Sequence, residues 1–261
     1  MATLYNTTGV VLSRRDRGEA DRWYSVLTRE HGKIELLARG GHKILAKLTP
    51  HLEMPAVIDF HVVNGRQFNT VAGTDRRVAY PGLYGDVSRL LLVRNALYLV
   101  DIATRQEEAD PVLYSLVVDW LTTLDGTKVP GNPLSSDRAE FLLAGFALKL
   151  LAAIGYRPEV SRCLDCKATV VAGQYRWHAL KGGVVCSPCV TRDNRQWFAA
   201  RAISDDTLKL LRFGLAEPFE SHLRPLLPVA ALDEFHEAVE GLMISHFPVI
   251  PANSIRAACS L

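Results

Sequence analysis

The chain has 261 residues, 48% hydrophobic and 22% charged, a globular composition that excludes wholesale disorder, collagen-like repeats and a disulfide-dense secreted module. At about 150 residues per domain, two domains are expected. Thirty Lys and Arg against 28 Asp and Glu leave a formal charge of +2, which on its own neither demands nor excludes a polyanionic partner.

The opening residues Met1 to Thr8 carry neither the basic nor the apolar region of a secretory signal, so the mature chain is expected to begin here. Residues 1–80 then read as β structure. Val10 to Leu12, Trp23 to Thr28, Lys33 to Ala38, Ala56 to Val63 and Phe68 to Ala72 are five short runs rich in β-branched and aromatic residues. They are separated by His31-Gly32, Gly40-Gly41 and Asn64-Gly65, the last a hairpin signal because both residues tolerate positive φ. Five strands suit an OB-type barrel, and an SH3-like barrel fits the same pattern. The polar stretch from Gly40 to Pro55 is too long for a hairpin and suits a short helix across one end of the barrel.

The period then changes. From Asp86 to Arg105 apolar residues recur at helical spacing, with Asp86 or Ser88 as N-cap, and Pro111 to Leu124 and Asp137 to Ile154 read likewise. Asp137 and Glu140 have the spacing of a capping box, and Gly155 with Pro158 beyond it closes the third helix. The apolar run Phe141 to Ile154 is too short to span a bilayer and is interrupted by Lys149. After a cysteine-containing segment, Ser204 to Phe213 and Val229 to His246 are again helical. The predicted fold class is therefore α+β and multi-domain: a five-stranded OB-fold β-barrel over 1–80, and a helical bundle over 81–261 with a ribbon inserted at about 160–203.

The strongest local signal is Cys163-Leu-Asp-Cys166 followed, after 19 intervening residues, by Cys186-Ser-Pro-Cys189. This is the spacing of a four-thiolate zinc ribbon, in which each two-residue turn aims two sulfurs at one tetrahedral ion. One structural Zn²⁺ held by Cys163, Cys166, Cys186 and Cys189 is predicted. Between the knuckles, Thr169 to Val171 and Tyr175 to His178 are expected to pair across Ala172-Gly-Gln174, and Gly182-Gly183 returns the chain. A redox pair needs no second CxxC, and a nucleobase deaminase needs Pro-Cys-x-x-Cys after its His-x-Glu segment, whereas here Val185 precedes Cys186. Four thiolates leave the metal no open position for water, and no P-loop, nucleophile elbow, dinucleotide fingerprint or HExxH is present, so a non-enzyme is predicted. His178 reads as a ribbon surface residue, and Cys259 as an unpaired thiol.

Charge is distributed unevenly: residues 1–80 carry +4, 81–159 −3, 160–203 +5 and 204–261 −4. Four thiolates on Zn²⁺ would lower the ribbon block to +3 and leave the N-terminal block as the stronger signal for nucleic acid. The candidate DNA-binding residues are Arg14, Arg15, Arg17, Lys33, Arg39, Lys43 and Lys47, on the first and third strands and the loop that follows. On an OB barrel this face tracks a nucleic acid backbone, with aromatics as stacking platforms. Trp23 and Tyr24 are strand neighbours and point to opposite faces, so at most one of them lines the groove.

The run Gly9-Val-Val-Leu-Ser-Arg-Arg-Asp-Arg-Gly-Glu-Ala-Asp, then Leu27-Thr-Arg-Glu-His-Gly-Lys, Leu37-Ala-Arg-Gly-Gly-His-Lys, Arg138-Ala-Glu-Phe-Leu-Leu and Leu151-Ala-Ala-Ile-Gly-Tyr-Arg-Pro resemble the RecO recombination mediator family. The resemblance covers most of the chain and includes the order of barrel, bundle and ribbon. It implies a cytoplasmic, nucleoid-associated bacterial protein that binds single- and double-stranded DNA and anneals complementary strands. It also implies RecR and the acidic C-terminal tail of the single-stranded-DNA-binding protein as partners, in loading RecA. For that tail, Arg138 is the candidate cation and Phe141 and Leu142 the apolar hole. The competing reading of barrel and ribbon is an RNA-binding module of transcription or translation.

Overall fold

The computed structural model describes residues 3–19, 21–39, 52, 55–126, 134–226 and 228–250. The chain divides into two compact units, residues 1–133 and 134–261. The switch from strand to helix near residue 80 falls inside the first of them.

In the first unit, β1 (Thr3–Arg17), β2 (Asp21–Thr28), β3 (Gly32–Ala38), β4 (Ala56–Asn64) and β5 (Asn69–Ala79) close a barrel in the order β1-β2-β3-β5-β4. All neighbours are antiparallel except β3 and β5, and β1 closes on β4. This is the five-stranded Greek-key arrangement of the OB fold. Alternation sends Tyr24, Val26, Ile34, Leu36, Ile58, Phe60 and Val62 inward, all buried, and Leu52 joins them. The turn between β2 and β3 needs glycine at Gly32, where φ is +66° and the position of a Cβ is already occupied by the Glu108 backbone.

The expected tight turn at Asn64-Gly65 is a longer loop. Asn64 pairs with Asn69, Gly65 N–H donates to Phe68 C=O at 3.1 Å, and neither residue has positive φ. The helix expected between Gly40 and Pro55 lies almost wholly outside the described residues. A 3₁₀ turn (Pro81–Gly85), α1 (Val87–Ala103) and α2 (Pro111–Gly126) complete the unit. Asp86 caps α1 by accepting the Ser88 N–H at 2.9 Å.

The second unit is built on α3 (Ser136–Ala153), whose residues from Phe141 to Leu148 are all buried. Ser135 caps α3 in place of the predicted Asp137 box, accepting the Arg138 N–H at 3.4 Å. Gly155 closes it at φ +94°, with Tyr156 N–H reaching back to Leu151 C=O at 2.7 Å. The ribbon carries β6 (Tyr175–His178), β7 (Gly183–Cys186) and α4 (Ser187–Arg192). Its hairpin differs from the prediction: Tyr175–His178 pairs with Gly183–Cys186, while Thr169 only bridges Arg162. The unit ends with α5 (Asp205–Ala216), a 3₁₀ turn (Phe219–Leu223) and α6 (Val229–His246), α5 and α6 packing on α3. Among the described residues no helix is long and apolar enough to cross a membrane.

His222 lies wholly buried among Phe141, Phe213 and Phe219, ring centroids 5.4 to 5.7 Å away, with Nε2 3.2 Å from the Glu217 carbonyl. The mid-helix Gly145 makes room for it, since a Cβ there would sit 2.8 Å from His222 Nδ1. Burial, aided by the nearby Lys149 charge, pushes the imidazole pKa down to about 4. The unfolded chain takes up this proton near pH 6.5, before the folded one does. Stability is therefore complete above about pH 6.5 and falls by roughly 3 kcal/mol as pH drops towards 4. Urea unfolding across this range is expected to show that slope, and His222→Gln to flatten it; parallel slopes would refute the assignment.

Candidate nucleic-acid interface and metal centre

The outer end of β1 carries the predicted basic residues. Arg14, Arg15 and Arg17 are all exposed, and the register sets Arg15 opposite Trp23 on β2 and Arg14 opposite Tyr24. Because strand neighbours alternate, Tyr24 is buried in the barrel and Trp23 faces outward, half-buried. Arg15 donates to Glu35 at 2.8 Å, and its guanidinium carbon lies 5.7 Å from the centre of the Trp23 ring. Arg17 lies 5.5 Å from Trp23 and 4.9 Å from Phe68, which meets Trp23 edge to face at 5.0 Å. Arg39 is exposed at the end of β3. Lys43 and Lys47 lie outside the described residues, as does Cys259.

Lys33 stands apart from this set. Its side chain is only 12% exposed, and Nζ is 2.5 Å from the Asp101 carbonyl and 3.4 Å from its carboxylate. Ser13 and Ser25 donate to the same carboxylate at 2.5 and 2.7 Å. Asp101, on α1, thus collects three donors from three strands and ties the helix to the barrel, and the Lys33 charge is spent in that anchor. Above it an open cleft of about 100 Å³ is bounded by Arg14, Arg15, Trp23, Glu35 and Gln106. The contributions of Phe68 and Asp101 were not legible in the sequence, because both arise from contacts between distant segments.

In the second unit the four cysteines converge, their sulfurs all within 4.8 Å of one another. A tetrahedral ion bonded to sulfur at about 2.3 Å needs S···S edges of roughly 3.8 Å, and Cys166 and Cys186 stand at 3.7 Å. Cys163 Sγ accepts the N–H groups of Asp165 at 3.4 Å and Cys186 at 3.3 Å, one from each knuckle. Burial raises the Cys163 thiol pKa, but those N–H groups and that of Cys166 more than reverse it, to about 6. Burial pushes Cys186 and Cys189 up, which a bound cation would reverse. Arg192, three residues past the last cysteine, donates to Asp165 at 2.6 Å and lies 3.7 Å from Cys189 Sγ, so its charge faces the sulfurs. The donor set fits one metal ion with no open position. His178 is outside this set; it is buried, not at the ribbon surface, and its Nδ1 accepts the Lys181 N–H.

Arg138, Phe141 and Leu142 do not form an open pocket. Phe141 and Leu142 have no exposed surface. The Arg138 guanidinium donates to the carbonyls of His222 at 3.0 Å and Pro225 at 2.8 Å. These residues brace the fold, which corrects the expectation of an apolar hole lined by the two hydrophobic side chains.

Comparison with known proteins gives a consistent result. The family described as "Recombination protein O N terminal" matches residues 1–75, and "Recombination protein O C terminal" matches residues 84–246. "DNA repair protein RecO" of Myxococcus xanthus is 32% identical over 224 residues, covering 84% of this chain and 86% of that protein. The protein of the same name from Alkaliphilus metalliredigens is 25% identical over 255 residues, 98% of each. That from Dehalococcoides mccartyi strain BAV1 is 27% identical over 240 residues, 91% of this chain and 88% of the relative.

Proposed function

The chain belongs to the RecO family of recombination proteins, and from that premise we propose that it is a DNA repair and homologous recombination mediator working without covalent chemistry. It binds single- and double-stranded DNA, anneals complementary strands and helps load RecA onto DNA coated by the single-stranded-DNA-binding protein. The supporting observation is the exposed Arg15 and Arg17 beside outward-facing Trp23, with exposed Arg14 preceding Arg15 in the chain, on a closed five-stranded barrel. Such a face neutralises phosphates on two strands at once, which lowers their repulsion and lets base pairing proceed without nucleotide hydrolysis.

In this reading residues 1–80 are the nucleic-acid-binding part, and 81–261 a helical part whose ribbon at about 160–203 holds one structural Zn²⁺. Arg14, Arg15, Arg17 and Arg39 contact phosphate, with Lys43 and Lys47 continuing the track. Lys33 positions the strand that carries Arg39. RecR and the acidic tail of the single-stranded-DNA-binding protein are the partners. The protein acts in the cytoplasm, at the nucleoid.

A competition assay decides the matter. The protein is expected to anneal complementary DNA coated with the single-stranded-DNA-binding protein, and to lose that activity when the coating protein's acidic tail is deleted. Preference for structured RNA over DNA, with no annealing, would overturn the reading in favour of an RNA-binding module.

A further inference from the structure

Phosphate contact leaves one feature of the barrel face unexplained. Trp23 and Phe68 are two large apolar rings held half-buried outside the core, which is already filled by Tyr24, Phe60 and their neighbours. They touch edge to face, centroids 5.0 Å apart and planes at 82°, so part of each ring face is left to other groups. The groups placed there are cations: Arg15 and Arg17 lie near Trp23, and Arg17 near Phe68. Trp23 also walls the cleft bounded by Arg14, Glu35 and Gln106.

We propose that Trp23 and Phe68 are a stacking platform for an unpaired nucleobase of single-stranded DNA, with Arg15 and Arg17 resting on the rings until a base takes their place. The proposal rests on the DNA-binding reading above and narrows it to the strand whose bases are accessible. A stacked base gains more from an aromatic face than an exposed guanidinium does, so the base displaces the cation. Arg15 is also held by Glu35 at 2.8 Å, but with a side chain 63% exposed that pair is weak. Both guanidiniums sit on β1 beside Arg14, so once displaced they meet the phosphates flanking the stacked base. In a duplex the base faces are covered by their neighbours, and the same surface offers only its charges. The platform therefore separates single strands from duplexes, which a row of arginines alone does not do.

The test uses the full metal-loaded chain, with binding measured at one salt concentration to three ligands: an oligothymidylate of about 15 nucleotides, an abasic deoxyribose-phosphate oligomer of equal length, and a duplex. Trp23→Ala is expected to weaken oligothymidylate binding roughly 5- to 150-fold, while changing binding to the abasic oligomer and the duplex by less than about twofold. Trp23→Phe, which keeps a ring face, is expected to restore most of the loss and to unfold at the wild-type temperature. An equal loss on the abasic oligomer, or no loss on oligothymidylate, overturns the platform while leaving the DNA-binding reading intact. Wild-type protein that binds none of the three ligands overturns that reading, and the platform with it.

Discussion

Replacing Cys163 by serine is expected to empty the metal site and unfold the ribbon. Structural zinc in small peptides contributes on the order of 10 kcal/mol or more, and here the ion would join the two knuckles. Its apolar cluster has Cys163, Val185, Cys189, Trp197 and Ala200 buried, with Leu164, Cys186 and Val190 packed against them, and three of these residues are ligands. Cys163 is wholly buried, and its sulfur takes an N–H from each knuckle, so its loss breaks the link between the two halves of the site. Tyr175 and Gly173 bond Asp205, and Arg212 bonds the Val160 carbonyl, so the damage reaches the N-terminus of α5. The bundle of α3, α5 and α6 keeps its own buried core and is expected to survive at a lower melting temperature. Elemental analysis should find one zinc per chain in the wild type and almost none in Cys163→Ser, with new protease cleavage between residues 160 and 203. Wild-type protein purified under reducing conditions without zinc would defeat the assignment.

A second large effect is expected from salt. If the basic face contacts about five phosphates, counterion release makes DNA affinity fall roughly 10²- to 10³-fold between about 50 and 200 mM salt. Arg14, Arg15 and Arg39 are the positions to reverse, because all three are exposed. The triple Arg→Glu variant is expected to bind weakly at every salt concentration and with a shallower salt slope. Lys33→Glu is the wrong probe: it would set a carboxylate against Asp101 and break the anchor between α1 and the barrel. A salt-independent affinity, or a triple variant that binds like the wild type, would refute phosphate contact at this face.

Much of the fold was legible because its signals are local. Alternation over Lys33 to Ala38 marks β3, the 3.6-residue recurrence after Asp86 marks α1, and Gly155 before Pro158 marks the end of α3. Where local signals compete, distant contacts choose between them. Ser135 and Asp137 both suit an N-cap, and Ser135 took the role. In the ribbon, Thr169 to Val171 and Gly183 to Cys186 are both apolar enough to pair with Tyr175–His178. The second segment does so because it must bring Cys186 beside Cys163.

The sequence by itself determined the strand and helix periods, the outward direction of one of Trp23 and Tyr24, and the four-cysteine site, since each follows from spacing within a turn, a strand or a knuckle. What each charge and ring does was decided only by the tertiary structure. Lys33 is taken up by a partner 68 residues away, and Arg138 by carbonyls 84 and 87 residues away. Phe141 and Leu142 are enclosed by α5 and α6, and Phe68 reaches Trp23 only through closure of the barrel. A side chain's direction is a local property, whereas its partner depends on which distant segment packing brings opposite it.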